Sequence, residues 1–428
     1  MYSLFRDEKR LDERTVAALY ITTYVSAAIS ALVTGYLADV FGRRAACLAF
    51  CAIHALASIS VTFDAMAVLV AGRVLAGVAL NLLWTAFESW MVTEYNARGL
   101  DRSGVSLSAM FGAMTKYNCI TAIVAGVLGH CVVLALGSKC DPFVLGVGLD
   151  ACAAALMIWT WNENTGIGVT PDAYAYNSSL HDDTTGDDNK GAIGSLKDMR
   201  IWVLSFASCC FEGAIFIFTF FWPGTLQEAH DREHPVDHDA TPYGVVFATF
   251  MASMVLGAIL FGLLTHNPRS PGIKLTQTLG VMAPTLLLGM ALLISAFSFL
   301  IAAFSKAELR LFLSFLLLEA CNGVYVPSMA YHRSMIVKDS SRALVYGLMN
   351  IPLFIFVIVA LATTTSGDRA EHRQTVFLLL AELLLAAAVA VAVGLGIPGF
   401  CSHLSRVPDS TLDDIDSSRE DELKVAHV

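Results

Sequence analysis

Between residues 67 and 95 an otherwise apolar run carries Arg73, Gly77, Asn81, Trp84 and Glu88, at steps of four, four, three and four. At about 100° per residue, these positions fall within a stripe of about 80° on a helix. Ionisable side chains on one face of an apolar helix are costly in lipid and point into a cavity, where they bind or relay charge. Arg73 and Glu88 lie about 22 Å apart along such a helix, so they mark opposite ends of one path rather than a direct pair. The competing explanation is that each makes a structural contact with another helix. Glu212 and Glu319 lie in later apolar runs, with Asn322 one turn beyond Glu319. Lys116 is the only lysine deep in an apolar run, and a structural role as partner of Glu88 or Asp150 is as consistent with its position as a binding role.

These residues need elements to hold them. The chain has 428 residues, of which 56% are hydrophobic and 15% charged, with a mean hydropathy of +0.63. Soluble proteins are about a quarter charged, so lipid must be the solvent for much of this surface. Eleven runs are long enough to span: 16–38, 45–64, 67–95, 105–136, 143–162, 201–225, 242–265, 275–303, 309–332, 342–364 and 374–399. The expected class is an all-α integral membrane protein. Residues 1–162 form a first helical bundle, 163–200 a polar linker, 201–400 a six-helix bundle, and 401–428 a disordered acidic tail. Prolines 223 and 327 are expected to bend their helices.

Several function classes find no residues. The net charge is −10 and no basic stripe exists to neutralise phosphates, so nucleic acid is not an expected partner. Ten cysteines without paired spacing read as buried thiols. No cleavable signal peptide is expected in MYSLFRDEKRLDER. There is no Walker loop, H-E-x-x-H or G-x-S-x-G, so neither ATP-driven pumping nor hydrolysis has support, and no cofactor is implied. G-L-G-I-P-G (394–399) ends a span without a preceding strand and is set aside. His230, His234 and His238 recur every four residues, a metal-ligand spacing on a helix, but Pro235 interrupts it, so a solvated loop is the expectation.

The connection between the first two runs reads GYLADVFGRR, residues 35 to 44. Gly35 and Gly42 permit close helix approach and a tight turn. Arg43 and Arg44 place the turn in the cytosol, and alternating sides from there puts most Lys and Arg on the cytosolic side. Residues 1–15, with Arg6, Lys9, Arg10 and Arg14, run against that bias. The pattern G-x-L-A-D-x-x-G-R-R resembles the signature loop of the major facilitator superfamily, and Arg73 with Gly77 resembles its R-x-x-x-G pattern. AFESW (86–90), WNENTG (161–166), FEG (211–213), PYGVVFATFMASMVLG (242–257) and LEACNGVYVPSM (318–329) together narrow the resemblance to the molybdate-anion transporter family within that superfamily.

The resemblance implies two pseudo-symmetric bundles and twelve spanning helices, of which the first is not visible here. It implies alternating access, a multi-pass location at the plasma membrane, a monomer, and import of a small oxyanion such as molybdate, with proton coupling possible. Glu88, Glu212 and Glu319 would line the central cavity, for coupling or gating. An oxyanion needs donors, for which Arg73, Asn81, Lys116, Asn118 and Asn322 are the candidates. Asp39, with Gly35, Gly42, Arg43 and Arg44, would form a conformational latch by meeting the start of the helix at DSSR, Asp339 to Arg342. Asn350 stands where the family pattern has an arginine, which puts the solute in question. The alternatives are a permease of the same fold for an organic anion or sugar, and a transport-inactive sensor or scaffold.

Overall fold

The computed structural model describes residues 4–100, 102–165, 197–234, 243–265, 274–364 and 369–396. Most of the expected linker and the whole acidic tail, along with His238, lie outside the described residues. Among these residues eleven α-helices follow one another: α1 (Glu13–Phe41), α2 (Arg43–Ser60), α3 (Met66–Ala97), α4 (Leu107–Leu136), α5 (Asp141–Thr160), α6 (Met199–Glu233), α7 (Tyr243–Thr265), α8 (Lys274–Phe304), α9 (Glu308–Ile336), α10 (Arg342–Thr364) and α11 (Arg369–Val391). The described residues contain no strand. Among the described residues, ten helices are long and apolar enough to cross a membrane. The remaining one, α2, has 18 residues and opens on two arginines. In lipid only the helix satisfies its own backbone groups, so long apolar runs fold this way.

Local signals set the boundaries. Asp12 caps α1 by accepting from the Thr15 amide at 3.3 Å, and Ser106 caps α4 through Ala109. Gly137 ends α4 in the left-handed region, at φ 86°, where a side chain would be strained. The segment just ahead of α1 is tied down. Leu4–Glu8 forms one π-helical turn that buries Leu4 and Phe5, while Glu8 accepts from Ser138 and the Lys139 amide. The largest departure from expectation is α6, which runs unbroken through Pro223 to Glu233 instead of stopping near 225. Helix α9 likewise continues through Pro327.

Helices α1–α5 and α6–α11 make two halves that meet along two seams, α1 against α10 and α4 against α7. Small residues make the first seam close. A Cβ on Gly35 would lie 2.5 Å from the Ala343 carbonyl oxygen, and one on Gly347 would lie 2.8 Å from that of Ala31. Without a hydrophobic drive between helices in lipid, such backbone approach supplies the packing. The second half shares one continuous core, with Phe211, Phe218, Phe250, Phe315 and Phe377 among its members. The first half is held by smaller clusters, one of which, around Ala38, Cys47 and Ala86, includes Ala343 from the second half.

Candidate substrate path and its closure

The GRR turn lies where α1, α2, α3 and α10 converge. Gly42 is the whole connection between α1 and α2, at φ 115°, and a Cβ there would also meet the Glu163 carboxyl at 2.4 Å. Glu163 fills this space because it caps α2, accepting from the amides of Arg44 at 2.8 Å and Ala45 at 3.1 Å. Asp39 is buried and accepts from the Ala343 and Leu344 amides, at 3.3 and 3.0 Å, across the seam. These are free donors of the first turn of α10, where the helix dipole favours a carboxylate. Arg43, fully buried, donates to Asp39 at 2.8 Å and to Asp339 at 3.0 Å, and it also contacts Thr93 on α3. Arg342 pairs with Asp339 at 2.6 Å instead of with Asp39. Arg44 turns away and donates to the Ile158 carbonyl at the end of α5.

Farther from the turn lies a second group of charges, half-buried. Arg333 of α9 donates to Glu88 of α3 at 3.2 Å, an ion pair between the two halves. Tyr325 donates to Glu212 at 3.2 Å and Ser208 donates to it at 2.8 Å. Tyr346 lies beneath the Arg333 guanidinium, 5.4 Å from the ring centroid. One turn beyond Tyr346, Asn350 is fully buried with neither side-chain polar atom bonded, and Arg333 Nε also lacks a partner. Buried unpaired polar atoms are costly, so each calls for an explanation, of which a bound polar ligand or water is one. On the side away from the GRR turn, Tyr24, Trp84, Phe216 and Phe354 form an aromatic layer across both halves, with centroids 5.6 to 6.5 Å apart.

The structure brings Glu88 and Glu212 together around Arg333 but leaves other expected members elsewhere. Glu319 is buried and accepts from Asn322 at 3.1 Å, with Met254 of α7 as the other Asn322 contact. Asn81 is buried and donates to Thr34 of α1 at 2.6 Å, and Gly77 packs on the Thr23 carbonyl. The middle of the polar stripe is therefore a packing seam, because α1 covers it. Arg73 stays at the far end, 5.5 Å above the Phe5 ring. Lys116 lies over Tyr117 at 4.9 Å, and Asn118 is exposed. Lys116 pairs with neither acid suggested for it, since Glu88 takes Arg333 and Asp150 takes His54 at 2.7 Å. Sequence reasoning missed Arg333 and Asp339. The signal for Arg333 was its place on α9, two turns beyond Tyr325.

A family model described as "Sugar-transporters, 12 TM" matches residues 1–347. A molybdate-anion transporter of Xenopus tropicalis is 28% identical over 397 residues, covering 91% of this chain and 80% of that protein. One from Takifugu rubripes is 27% identical over 416 residues, covering 91% and 82%. Among solved structures, the human organic anion transporter MFSD10 (TETRAN) aligns with a TM-score of 0.58 at 15% identity, over 91% of this chain and 88% of that one. The major facilitator transporter FucP, in its outward conformation, aligns at 0.59 and 15% identity, over 90% of each chain. Such identities speak for the fold alone. The match across most of the chain, on an all-helical membrane fold, shows that the chain belongs to this twelve-helix transporter family of the major facilitator superfamily.

Proposed function

We propose that this transporter imports a small oxyanion, molybdate in the first instance, by proton-coupled alternating access at the plasma membrane, acting as a monomer. The observation that carries the reading is Arg333, half-buried between Glu88 and Glu212 with its Nε free. With both acids ionised the group carries one net negative charge and repels an anion. A proton on Glu88 releases the guanidinium, whose planar fork suits a tetrahedral oxyanion. Asn350 offers a further spare donor. Breaking the Glu88–Arg333 pair also unties α3 from α9, so loading and reopening of the GRR side are one event. Asp39, with Arg43 and Asp339, acts as the latch that keeps the cytosolic end shut until then. Gly35 and Gly42 give that latch its close helix approach and its tight turn. Arg73, Asn81, Lys116, Asn118, Glu319 and Asn322 remain proposed members of the path outside this group.

The test is molybdenum content, by mass spectrometry, of molybdate-starved yeast expressing the chain at the surface, after a brief nanomolar pulse. Uptake above that of an Asp39→Ala variant is expected. A surface-expressed chain with no uptake would reject the molybdate reading. The aromatic layer favours a second reading, since rings of Tyr24, Trp84 and Phe216 also suit the apolar face of a sugar or an organic anion. Competition by sugars and carboxylates separates the two, and a chain that moves none of these solutes would be a sensor or scaffold.

A further inference from the structure

We propose that His230, His234 and Glu308 form a binding site for a late first-row divalent metal ion, of which Zn²⁺ is the natural probe. Pro235 follows the last of these histidines and does not separate them, because α6 stays helical to Glu233 and His234 closes it. Four residues apart, the two imidazoles share a helix face, with ring centroids 4.8 Å apart and planes 27° apart. Glu308, the first residue of α9, brings its Oε2 to 3.0 Å from His230 Nδ1. One ligand atom from each residue lies within 4.8 Å of the others.

The frame around them does not depend on the histidines. The Glu308 amide donates to Glu233 Oε1 at 3.0 Å, and Arg232 donates to the Lys306 carbonyl at 3.4 Å. The two helix ends are thus already held in register, and His230 alone would suffice to bond Glu308. The second imidazole, His234, is exposed, and among the described residues its side chain stacks on His230. Two imidazoles and one carboxylate are a three-ligand set that leaves a fourth position for water, and imidazole selects zinc, copper or nickel over calcium or magnesium. The side chains of His230 and Glu308 are 22% and 30% exposed, so an ion can enter. The site lies beyond Thr219, outside the apolar window of α6, at the end opposite the GRR turn. It joins the outer ends of the helices that carry Glu212 and Arg333, so an ion there would restrain their relative motion.

The experiment uses the purified full chain in detergent, without a polyhistidine tag. Cobalt titration should give one equivalent of the intense visible band of four-coordinate Co²⁺, and one equivalent of Zn²⁺ should abolish it. His234→Ala, which removes an exposed side chain, should lose the band while melting like the parent in the absence of metal. Glu308→Gln should lose it too, whereas His54→Ala should keep it. No band in the parent, or a band that survives His234→Ala, would overturn the proposal. Because the readout is binding alone, it stands or falls independently of the solute carried.

Discussion

At the scale of single residues, Arg333 and Glu88 show what pattern reading can and cannot reach. Glu88 was legible because its stripe neighbours repeat at helical spacing, and such a face in lipid must meet something. Arg333 was not, because an arginine one turn from the end of a span reads as a marker of sidedness until its partner, 245 residues away, is known. The partners suggested for Lys116 were wrong for the opposite reason, since depth in a span does not say which way a side chain points. The grouping makes a paired prediction. Arg333→Lys keeps the charge but loses the fork, and one charge-assisted hydrogen bond is worth about 1.5–3 kcal/mol, so kcat/KM for molybdate should fall by about ten- to a hundredfold. Glu88→Gln leaves a neutral group that needs no proton to free Arg333, so uptake that rises on acidification in the parent should become flat with pH. Both are read from initial uptake rates across a pH series, at matched surface expression. A Glu88→Gln profile that still rises in acid would remove that acid from coupling.

At the scale of elements, the apolar runs located nearly every helix, because length and hydropathy are what a bilayer selects. They failed at the polar end of α6. There the hydrophobic signal stops near residue 225, but the following TLQEAHDRE consists largely of residues that helices accept, and α6 continues on contacts with the start of α9. Caps were legible where a side chain supplies them. Asp198 begins α6 by accepting from the Arg200 amide at 2.9 Å, and its carboxyl also receives the Arg200 guanidinium. That side-chain bond, foremost, holds the Asp198 carboxyl below its ordinary range. A depressed carboxyl contributes stability that is fully present above the unfolded value, about 3.9, and is lost as pH falls through the lower folded value. Asp198→Ala should therefore cost about 1 kcal/mol at neutral pH. Melting of the two proteins in detergent should converge in strong acid. A gap that persists undiminished there would mean that the carboxylate is not what starts the helix.

At the scale of the whole molecule, the sequence pointed Asp39 at the helix beginning near Asp339, and the two amides it meets belong to that helix. Asp339 itself, bonded to Arg43, Thr93 and Arg342 at once, was invisible because no spacing links it to the GRR turn. Among the described residues the first half has small scattered cores and borrows Ala343 from the second, so the seam at α1 and α10 contributes to stability beside its proposed part in closure. Asp39→Asn preserves size and can still accept one amide, but it removes the charge that faces Arg43 and the dipole of α10. Arg43 keeps Asp339, so no buried cation is left bare, and the fold should survive. In the proposed latch the loss falls on one side of the conformational equilibrium only, that with the GRR end shut. A charge at a helix start and a charge-assisted hydrogen bond together amount to about 1.4 kcal/mol or more, so the population open at that end should rise about tenfold. Ala31 reports it, being fully buried beneath Gly347 in the seam. A cysteine placed there should react about tenfold faster with an impermeant maleimide, applied from the GRR side of inverted vesicles, when residue 39 is asparagine. Equal rates with Asp and Asn at position 39 would show that the junction packs the helices without governing which side is open.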